Sequence, residues 1–296
     1  MESLLKWGID VVLWFQQASP GLDYVFKGFT FLGDEEFFLI FLPFFYWCAD
    51  RRTGARLLVV FLVSAYINSV AKILADQPRP FEYDSRVKAI TPATGGGFPS
   101  GHTQSAVVLW GYLAYCYRRK LVWIITGLFI IGVPLSRIYL GVHFPTDIIG
   151  GYVLGVIMLL GFIWLAPLVE SRITAAGFGW RIGTAFLPPA ILILLSPFAD
   201  SNCLTAGSTL LGFCCGVVLE RRWVGFKTGG IWWKQVLRYL IGLIVLVCIW
   251  LGLKIAFKGL QPDSVFRVIR YSAVGLWCSL GAPWIFVRLK LCEKYE

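Results

Sequence analysis

The chain contains two histidines, and each lies in a short polar segment. Three polar segments of this kind follow one another along the chain: Lys72 to Pro80, Pro99 to His102, and Ser136 to Asp147. Imidazole can act as a nucleophile or a proton carrier near neutral pH, and guanidinium and ammonium groups bind phosphate oxygens. The three polar segments therefore predict chemistry on a phosphorylated substrate.

A transferring phosphoryl group spreads negative charge over its oxygens and must be held by fixed donors. The polar segments supply these donors as three cations and one helix start, at Lys72, Arg79, Arg137 and the pair Ser100 and Gly101. Arginine can bind two oxygens at once, whereas lysine acts as a point charge. Because the first backbone N–H groups of a helix are free, we expect Ser100 and Gly101 to present theirs to phosphate, with glycine allowing a close approach.

The neighbours of the two histidines indicate different roles. Asp147 follows His143 by four residues, with Pro145 as an early helical residue between them. At this spacing the carboxylate can accept a proton from one ring nitrogen and leave the other free, so we assign His143 as the nucleophile. His102 has no acidic neighbour in sequence, and we assign it as general acid to the leaving oxygen and then general base to water. This scheme requires no metal and no cofactor.

The elements that carry the polar segments are predicted to span a membrane. The chain is 57% hydrophobic and 15% charged, whereas soluble domains average about 25% charged residues. We predict an all-α transmembrane bundle in which apolar runs of bilayer-spanning length form about nine spans. These are Asp34 to Asp50, Gly54 to Ala75, Gly101 to Tyr117, Leu121 to Ser136, Phe144 to Ala166, Ile182 to Ala199, Leu204 to Leu219, Val236 to Phe257 and Val265 to Val287. All three polar segments then lie on one membrane face.

The predicted organisation has three parts. Residues 1–33 mix apolar and charged side chains and are expected to lie at the membrane interface. Residues 34–170 carry the three polar segments, and residues 171–296 add further spans. The added spans contain few polar residues that could do chemistry, so we interpret them as packing, substrate-gating or homodimer surface and leave these alternatives open.

The net charge of +10 could indicate nucleic-acid binding, but the positions of the basic residues argue against it. They cluster in alternate loops, in groups that include Arg51, Arg52, Arg118, Arg119, Lys120, Arg221 and Arg222. The rule that cytoplasmic loops are rich in Lys and Arg places these groups in the cytoplasm and the site on the opposite face. We therefore predict no nucleic-acid partner and an outward-facing site in a bacterial plasma membrane. An endoplasmic-reticulum membrane with a luminal site obeys the same rule.

Metal binding is a weaker interpretation of the acidic residues. Asp34, Glu35 and Glu36 begin the first span on the same face as the polar segments. Acidic residues at a helix start are ordinarily caps, and we favour that interpretation. Two histidines are too few for a His-based cluster, and no cysteine spacing resembles a zinc site.

The polar segments resemble a known family. The chain contains segments similar to the three signature motifs of the type 2 phosphatidic acid phosphatase superfamily: Lys-x6-Arg-Pro, Pro-Ser-Gly-His and Ser-Arg-x5-His-x3-Asp. Each motif matches without a gap, and together they span Lys72 to Asp147. The resemblance implies six core helices with the site at their extracytoplasmic ends. It also implies the residue roles assigned above, with Lys72, Arg79, Ser100 and Arg137 binding phosphate. The nine spans and the long carboxy-terminal extension are similar to glucose-6-phosphatase and sphingosine-1-phosphate phosphatase.

The sequence therefore predicts a membrane phosphatase that hydrolyses a lipid phosphate monoester or diphosphate through a phospho-histidine, with membrane lipids around it. Three alternatives stay open: a lipid phosphotransferase or synthase that uses the same phospho-enzyme, a sugar-phosphate phosphatase, and a non-catalytic protein on the same scaffold. A lateral opening between spans near the site would favour the lipid substrate.

Overall fold

A computed structural model describes residues 2–196 and 200–294. The helices are α1 Glu2–Gln16, α2 Asp23–Phe31, α3 Glu35–Phe44, α4 Arg51–Ala75, α5 Pro80–Tyr83, α6 Gly101–Tyr117, α7 Lys120–Tyr139, α8 Pro145–Ala175, α9 Phe178–Leu194, α10 Ser201–Trp223, α11 Trp232–Ala256, α12 Asp263–Leu276 and α13 Ala282–Arg288. Short π-helical turns at Phe45–Ala49 and Trp277–Gly281 follow α3 and α12. The predicted all-α class is confirmed. The last residues of the predicted span Ile182 to Ala199, at 197–199, lie outside the described residues, as do residues 1, 295 and 296.

The transmembrane character of the bundle is confirmed by length and hydropathy. Within the described ranges, five helical segments are long and apolar enough to cross a membrane: Arg51–Tyr83, Lys120–Tyr139, Pro145–Ala175, Ser201–Trp223 and Trp232–Ala256. Shorter apolar helices such as α9 accompany them. The count of nine spans and the three-part division at residues 33 and 170 stay predictions.

The start of α4 is set by a capping residue rather than by its apolar run. The prediction placed the second span from Gly54, but α4 begins at Arg51. The Asp50 carboxylate accepts hydrogen bonds from the Arg52 backbone N–H at 2.9 Å and from the Thr53 hydroxyl at 2.5 Å. A capping carboxylate satisfies N–H groups that a helix leaves free, so the helix extends past its apolar part.

The first of two compact units comprises Met1–Phe38 and Ile67–Trp164 and contains all three polar segments. Inside it, α6 and α8 approach closely at two glycines of α8. A methyl group at Gly151 would lie 2.7 Å from the Ser100 carbonyl oxygen, and one at Gly155 would lie 2.9 Å from Cβ of Val107. Small residues permit such close helix packing in membranes. The packing places the start of α8 beside the start of α6.

The junction between α7 and α8 is anchored by the amino-terminal helix. Ile9 and Val12 of α1 share a buried apolar cluster with Phe144 and Ile148. In addition, the Gln16 side-chain amide donates to the Lys88 carbonyl at 2.6 Å. Phe144 follows His143 in sequence, so α1 holds the backbone that carries this histidine.

The second unit, Leu39–Tyr66 with Leu165–Glu296, contains the carboxy-terminal helices. Here α10 packs against α12, and a methyl group at Gly212 would overlap the Ser272 backbone. The fully buried Glu220 carboxylate forms an ion pair with Arg51 and accepts from the Phe226 N–H at 2.9 Å. A buried carboxylate that is paired and hydrogen-bonded is compatible with an apolar surrounding.

Candidate active site

The first unit brings the predicted site residues to one place. The end of α4 and the loop after it, the start of α6, the end of α7 and the start of α8 supply them, as Lys72, Arg79, Ser100, Gly101, His102, Arg137, His143 and Asp147. Hydrogen bonds between the segments join these elements.

His143 and Asp147 form a buried pair. Nδ1 of His143 donates to Oδ2 of Asp147 at 3.1 Å, and the exposed fractions of the two side chains are 2% and 0%. The same Oδ2 accepts from the Phe144 backbone N–H at 2.9 Å, and Oδ1 accepts from the Gln77 amide at 2.8 Å. With three donors the carboxylate is fixed, and it fixes the imidazole tautomer with the proton on Nδ1. Nε2 therefore carries the free lone pair.

Arg79 faces that free nitrogen. Its Nη1 lies 3.5 Å from Nε2 of His143 and donates to the Val142 carbonyl at 2.9 Å. Nε and Nη2 donate to the carbonyls of Gly95 and Thr94, both at 2.8 Å. Because backbone carbonyls orient the guanidinium on three sides, its charge is fixed next to the nitrogen that would bond to phosphorus.

Burial and nearby cations keep His143 neutral. Burial has the largest effect, and the charges of Arg137, Lys72 and Arg79 act in the same direction, so that the pKa of His143 lies well below its ordinary value of 6.5. At neutral pH the imidazole is therefore unprotonated at Nε2, which is the state that a nucleophile requires.

Lys72 and Arg137 complete the set of cations. The Lys72 ammonium donates to the Gly96 carbonyl at 2.5 Å and approaches the Gly97 carbonyl at 3.5 Å. Arg137 donates through Nη1 to the Thr30 hydroxyl, while its buried Nε has no hydrogen-bond partner within residues 2–196 and 200–294. An unpaired buried donor costs about 1–3 kcal/mol. A bound anion would remove that cost.

The start of α6 corrects one prediction. We expected a free N–H group on Ser100, but this group donates to the Asp147 carbonyl at 3.0 Å. Ser100 is the N-cap residue, and its hydroxyl accepts from the Thr103 N–H at 3.4 Å. The prediction was wrong because an N-cap N–H lies outside the helix and can pair with another chain segment. The free N–H groups of the first turn begin at Gly101.

Gly101 has a packing role that the sequence did not indicate. A methyl group at this position would lie 2.9 Å from the side-chain oxygen of Asn68 on α4. Asn68 in turn donates to the Gln104 side chain at 2.7 Å and to the Pro99 carbonyl at 3.3 Å. Glycine therefore lets α6 approach α4, and Asn68 holds the turn that precedes the helix.

His102 has an acidic partner that is distant in sequence. Its Nε2 lies 2.9 Å from Oδ1 of Asp34, 68 residues earlier. The capping interpretation of Asp34 missed this contact, because a cap is a local feature and the pair forms only in the folded unit. Among the described residues, no group of three or more His, Cys, Asp or Glu side chains could hold a metal ion.

An apolar groove of about 470 Å³ opens beside the site. It is lined by Ala71, Phe98, Pro99, Thr146, Ile149, Gly150, Val153, Leu154 and Ile157. Three of these residues are the direct sequence neighbours of Lys72, Ser100 and Asp147. One end of the groove therefore borders the segments that carry Lys72, Ser100 and Asp147, and the rest follows the apolar surface of α8.

The first unit combines a buried imidazole–carboxylate pair, three cations and a helix start. In a bundle of apolar helices, these groups define an integral membrane protein whose candidate site is suited to binding phosphate. Comparisons with known proteins agree with this class. A family model described as the PAP2 superfamily matches residues 53–170, and one described as PAP2 superfamily phosphatase, transmembrane extension, matches residues 204–294.

Several individual proteins are also similar to this chain in sequence. Phosphatidylglycerophosphatase B of Bacillus subtilis (strain 168) is 33% identical over 157 residues, which are 47% of this chain and 73% of the relative. Rat glucose-6-phosphatase 3 is 31% identical over 65% of this chain and 62% of the relative. Rat sphingosine-1-phosphate phosphatase 1 is 31% identical over 51% of this chain but 36% of the relative. The chain thus spans less than two thirds of the length of these rat relatives.

A solved structure is also similar. The crystal structure of a transmembrane PAP2 type phosphatidylglycerolphosphate phosphatase from Bacillus subtilis has a TM-score of 0.50 and 25% identity, covering 57% of this chain and 89% of that one. The chain belongs to the PAP2 superfamily of phosphatases. The predicted family is confirmed.

Proposed function

We propose that the protein hydrolyses a lipid phosphate monoester or diphosphate, with His143 as the nucleophile. The observation that carries this proposal is the orientation of the His143 ring. Nδ1 is committed to Asp147 at 3.1 Å, and Nε2 faces Arg79 at 3.5 Å. A phosphate held by Arg79, Lys72 and Arg137 would present its phosphorus atom to Nε2.

The first chemical step forms a phospho-enzyme. Nε2 of His143 attacks phosphorus while the bond from phosphorus to the leaving oxygen breaks. His102 gives its proton to that oxygen, so the alcohol leaves neutral. Arg79, Lys72, Arg137 and the first turn of α6 stabilise the charge on the equatorial oxygens. The positive charge that develops on the His143 ring is balanced by Asp147.

The second step reverses the proton transfer. His102 accepts a proton from water as the water oxygen attacks phosphorus. The bond between phosphorus and Nε2 breaks, and its electron pair returns to His143. Inorganic phosphate leaves, and His102 again carries the proton for the next cycle.

The groove beside the site supports a lipid rather than a soluble substrate. Its apolar lining borders the segments that carry Lys72, Ser100 and Asp147 and continues along α8, so a phosphate at the site would place an attached hydrocarbon chain in the groove. Burying each methylene of such a chain contributes about 0.8 kcal/mol. Two of the relatives are named for lipid phosphates and one for a sugar phosphate.

The orientation follows from the basic loops. The candidate site is at the start of α6, whereas Arg118, Arg119 and Lys120 follow the end of that helix, so we propose an extracytoplasmic site. A plasma membrane is our proposed location, and a luminal site in the endoplasmic reticulum obeys the same charge rule.

Chain-length dependence tests the substrate class. We would measure phosphate release in detergent with EDTA, from lipid phosphates with long and short chains and from glucose 6-phosphate. Val153→Trp would fill the groove, and Val156→Trp is the matched control, since Val156 is exposed on the same helix but does not line the groove. We expect Val153→Trp to raise KM for long chains about tenfold, as loss of about 1.4 kcal/mol of binding implies.

The expected pattern is preference for long chains in the wild type, loss of that preference in Val153→Trp, and its retention in Val156→Trp. Higher activity on glucose 6-phosphate, unaffected by Val153→Trp, would replace the lipid proposal with a sugar-phosphate phosphatase. Transfer of the phosphoryl group to an added alcohol in place of water would indicate a transferase.

A further inference from the structure

We infer that Asp34 and Gly33 position the His102 ring for proton transfer to the leaving group, an inference that rests on the proposed function. Asp34 Oδ1 lies 2.9 Å from Nε2 of His102. Both residues belong to the first compact unit. A carboxylate at this distance makes a charge-assisted hydrogen bond with an imidazole N–H.

Gly33 forms the second contact of the same support. A methyl group at Gly33 would lie 2.6 Å from Cδ2 and 3.1 Å from Cγ of the His102 ring. The imidazole therefore packs directly on the Gly33 backbone while its Nε2 meets Asp34. These two contacts come from consecutive residues and fix both the position and the rotation of the ring.

Asp34 also offsets part of an unfavourable charge environment. His102 is partly buried, and Arg137, Lys72 and the His143 ring lie near it. Burial and the two cations disfavour a further positive charge on the ring, whereas the Asp34 carboxylate favours it. A general acid must carry its proton before the leaving oxygen departs. Asp34 offsets part of this unfavourable environment, and the negative charge of a bound phosphate would act in the same direction.

The two histidines then use opposite ring nitrogens. In His143, Nδ1 pairs with the Asp147 carboxylate and Nε2 is left to bond to phosphorus. In His102, Nε2 pairs with the Asp34 carboxylate and Nδ1 is left to donate to the leaving oxygen. In the first step the proton on Nδ1 of His102 moves to the leaving oxygen as that oxygen separates from phosphorus. In the second step Nδ1 takes a proton from water. Asp34 touches neither substrate nor phosphorus, so it is a positioning residue.

The test is the dependence of kcat/KM on the leaving group, because kcat/KM reports the steps up to departure of the alcohol. An alkyl alcohol needs a proton to leave, whereas p-nitrophenolate leaves without one. We would compare a long-chain lipid phosphate with p-nitrophenyl phosphate for Asp34→Asn, Asp34→Ala and Gly33→Ala. Glu36→Gln, which removes an exposed carboxylate from the same helix start, is the matched control.

Positioned proton transfer contributes about 10²–10⁴-fold to rate. We therefore expect each Asp34 variant and Gly33→Ala to lose at least about tenfold in kcat/KM on the lipid phosphate and less than about threefold on p-nitrophenyl phosphate. Glu36→Gln should match the wild type on both substrates.

Equal losses on the two substrates would overturn the inference, because they would show a structural role without selective help to the leaving group. Unchanged activity of the Asp34 variants on the lipid phosphate would also overturn it. Failure of the proposed function would look different. The wild type itself would release no phosphate from the lipid, or His143→Ala would retain activity.

Discussion

The chemistry of single residues depends on which ring nitrogen of each histidine meets a carboxylate. In His143 it is Nδ1, at 3.1 Å from Asp147. The spacing of four residues predicted this pair, because both residues lie at one helix start. The pair of His102 with Asp34 was not predictable in the same way, since the two are 68 residues apart.

Other residues that hydrogen-bond to the candidate site residues could be predicted from the sequence only in part. Gln77 lies inside the first polar segment, two residues before Arg79, and donates to Asp147 at 2.8 Å. A polar side chain within a phosphate-binding segment is a reasonable candidate, although its partner cannot be known before the fold. Thr30, the partner of Arg137, lies in an amphipathic segment with nothing to distinguish it. Long-range partners of this kind require the tertiary structure.

The ionisation of His143 gives a prediction at the residue scale. Because burial and three cations lower its pKa well below 6.5, its ring should stay neutral, with the proton on Nδ1, at any pH above about 6. The chain has two histidines, so ¹⁵N-histidine labelling of protein with a histidine-free purification tag yields two ring systems. His102→Gln assigns them. Nitrogen chemical shifts should show the Nδ1–H tautomer of His143 from about pH 6 to 8.

A ring that titrates near its ordinary pKa of about 6.5 would contradict this electrostatic account. The Nε2–H tautomer would contradict the assignment of Nε2 as the nucleophilic atom. Either result could be obtained without substrate, so the measurement is independent of the identity of the lipid.

At the scale of helices, the site depends on how closely α8 approaches α6. Gly151→Ala places a methyl group 2.7 Å from the Ser100 carbonyl oxygen, so the two helices must separate. Overpacking of this kind typically costs about 1–3 kcal/mol. A displacement of about 1 Å at a catalytic group can cost about 10²-fold in rate. We therefore expect lower thermal stability in detergent and a loss of phosphate release of at least about tenfold.

Gly161→Ala is the control on the same helix, since no atom lies within 4 Å of a methyl group there. Alanine in a helix is favoured over glycine by about 0.5–1 kcal/mol, so this variant should be as stable as the wild type or slightly more stable. Equal behaviour of the two variants would show that the α6–α8 approach does not hold the site.

Helix existence was predicted more successfully than helix bounds. The predicted span Gly101 to Tyr117 coincides with α6. By contrast, α8 was predicted to end near Ala166 but continues to Ala175. In that added part Glu170 accepts from Nε of Arg56 at 2.6 Å. Hydropathy reports the apolar part of a helix, whereas ion pairs and caps determine where its polar ends stop.

At the scale of the whole molecule, composition and motif order were sufficient for the membrane bundle and the PAP2 family. They could not give the substrate, because a fold hosts several substrates and the selecting surface is formed by residues from separate segments. The groove illustrates this, since Ala71, Phe98 and Val153 come from three elements and none carries a chemical signal. The long-chain lipid preference is therefore a structural proposal, whereas the candidate site residues could be selected from the sequence.

The central claim is that phosphate passes through Nε2 of His143. The most direct measurement is to mix the purified protein with a ³²P-labelled lipid phosphate, quench within milliseconds in alkali, and locate the label by peptide mapping. We expect an alkali-stable, acid-labile phosphate on the peptide that contains His143, absent from His143→Ala and retained in Glu36→Gln. Label on another residue, or full turnover by His143→Ala, would contradict the account.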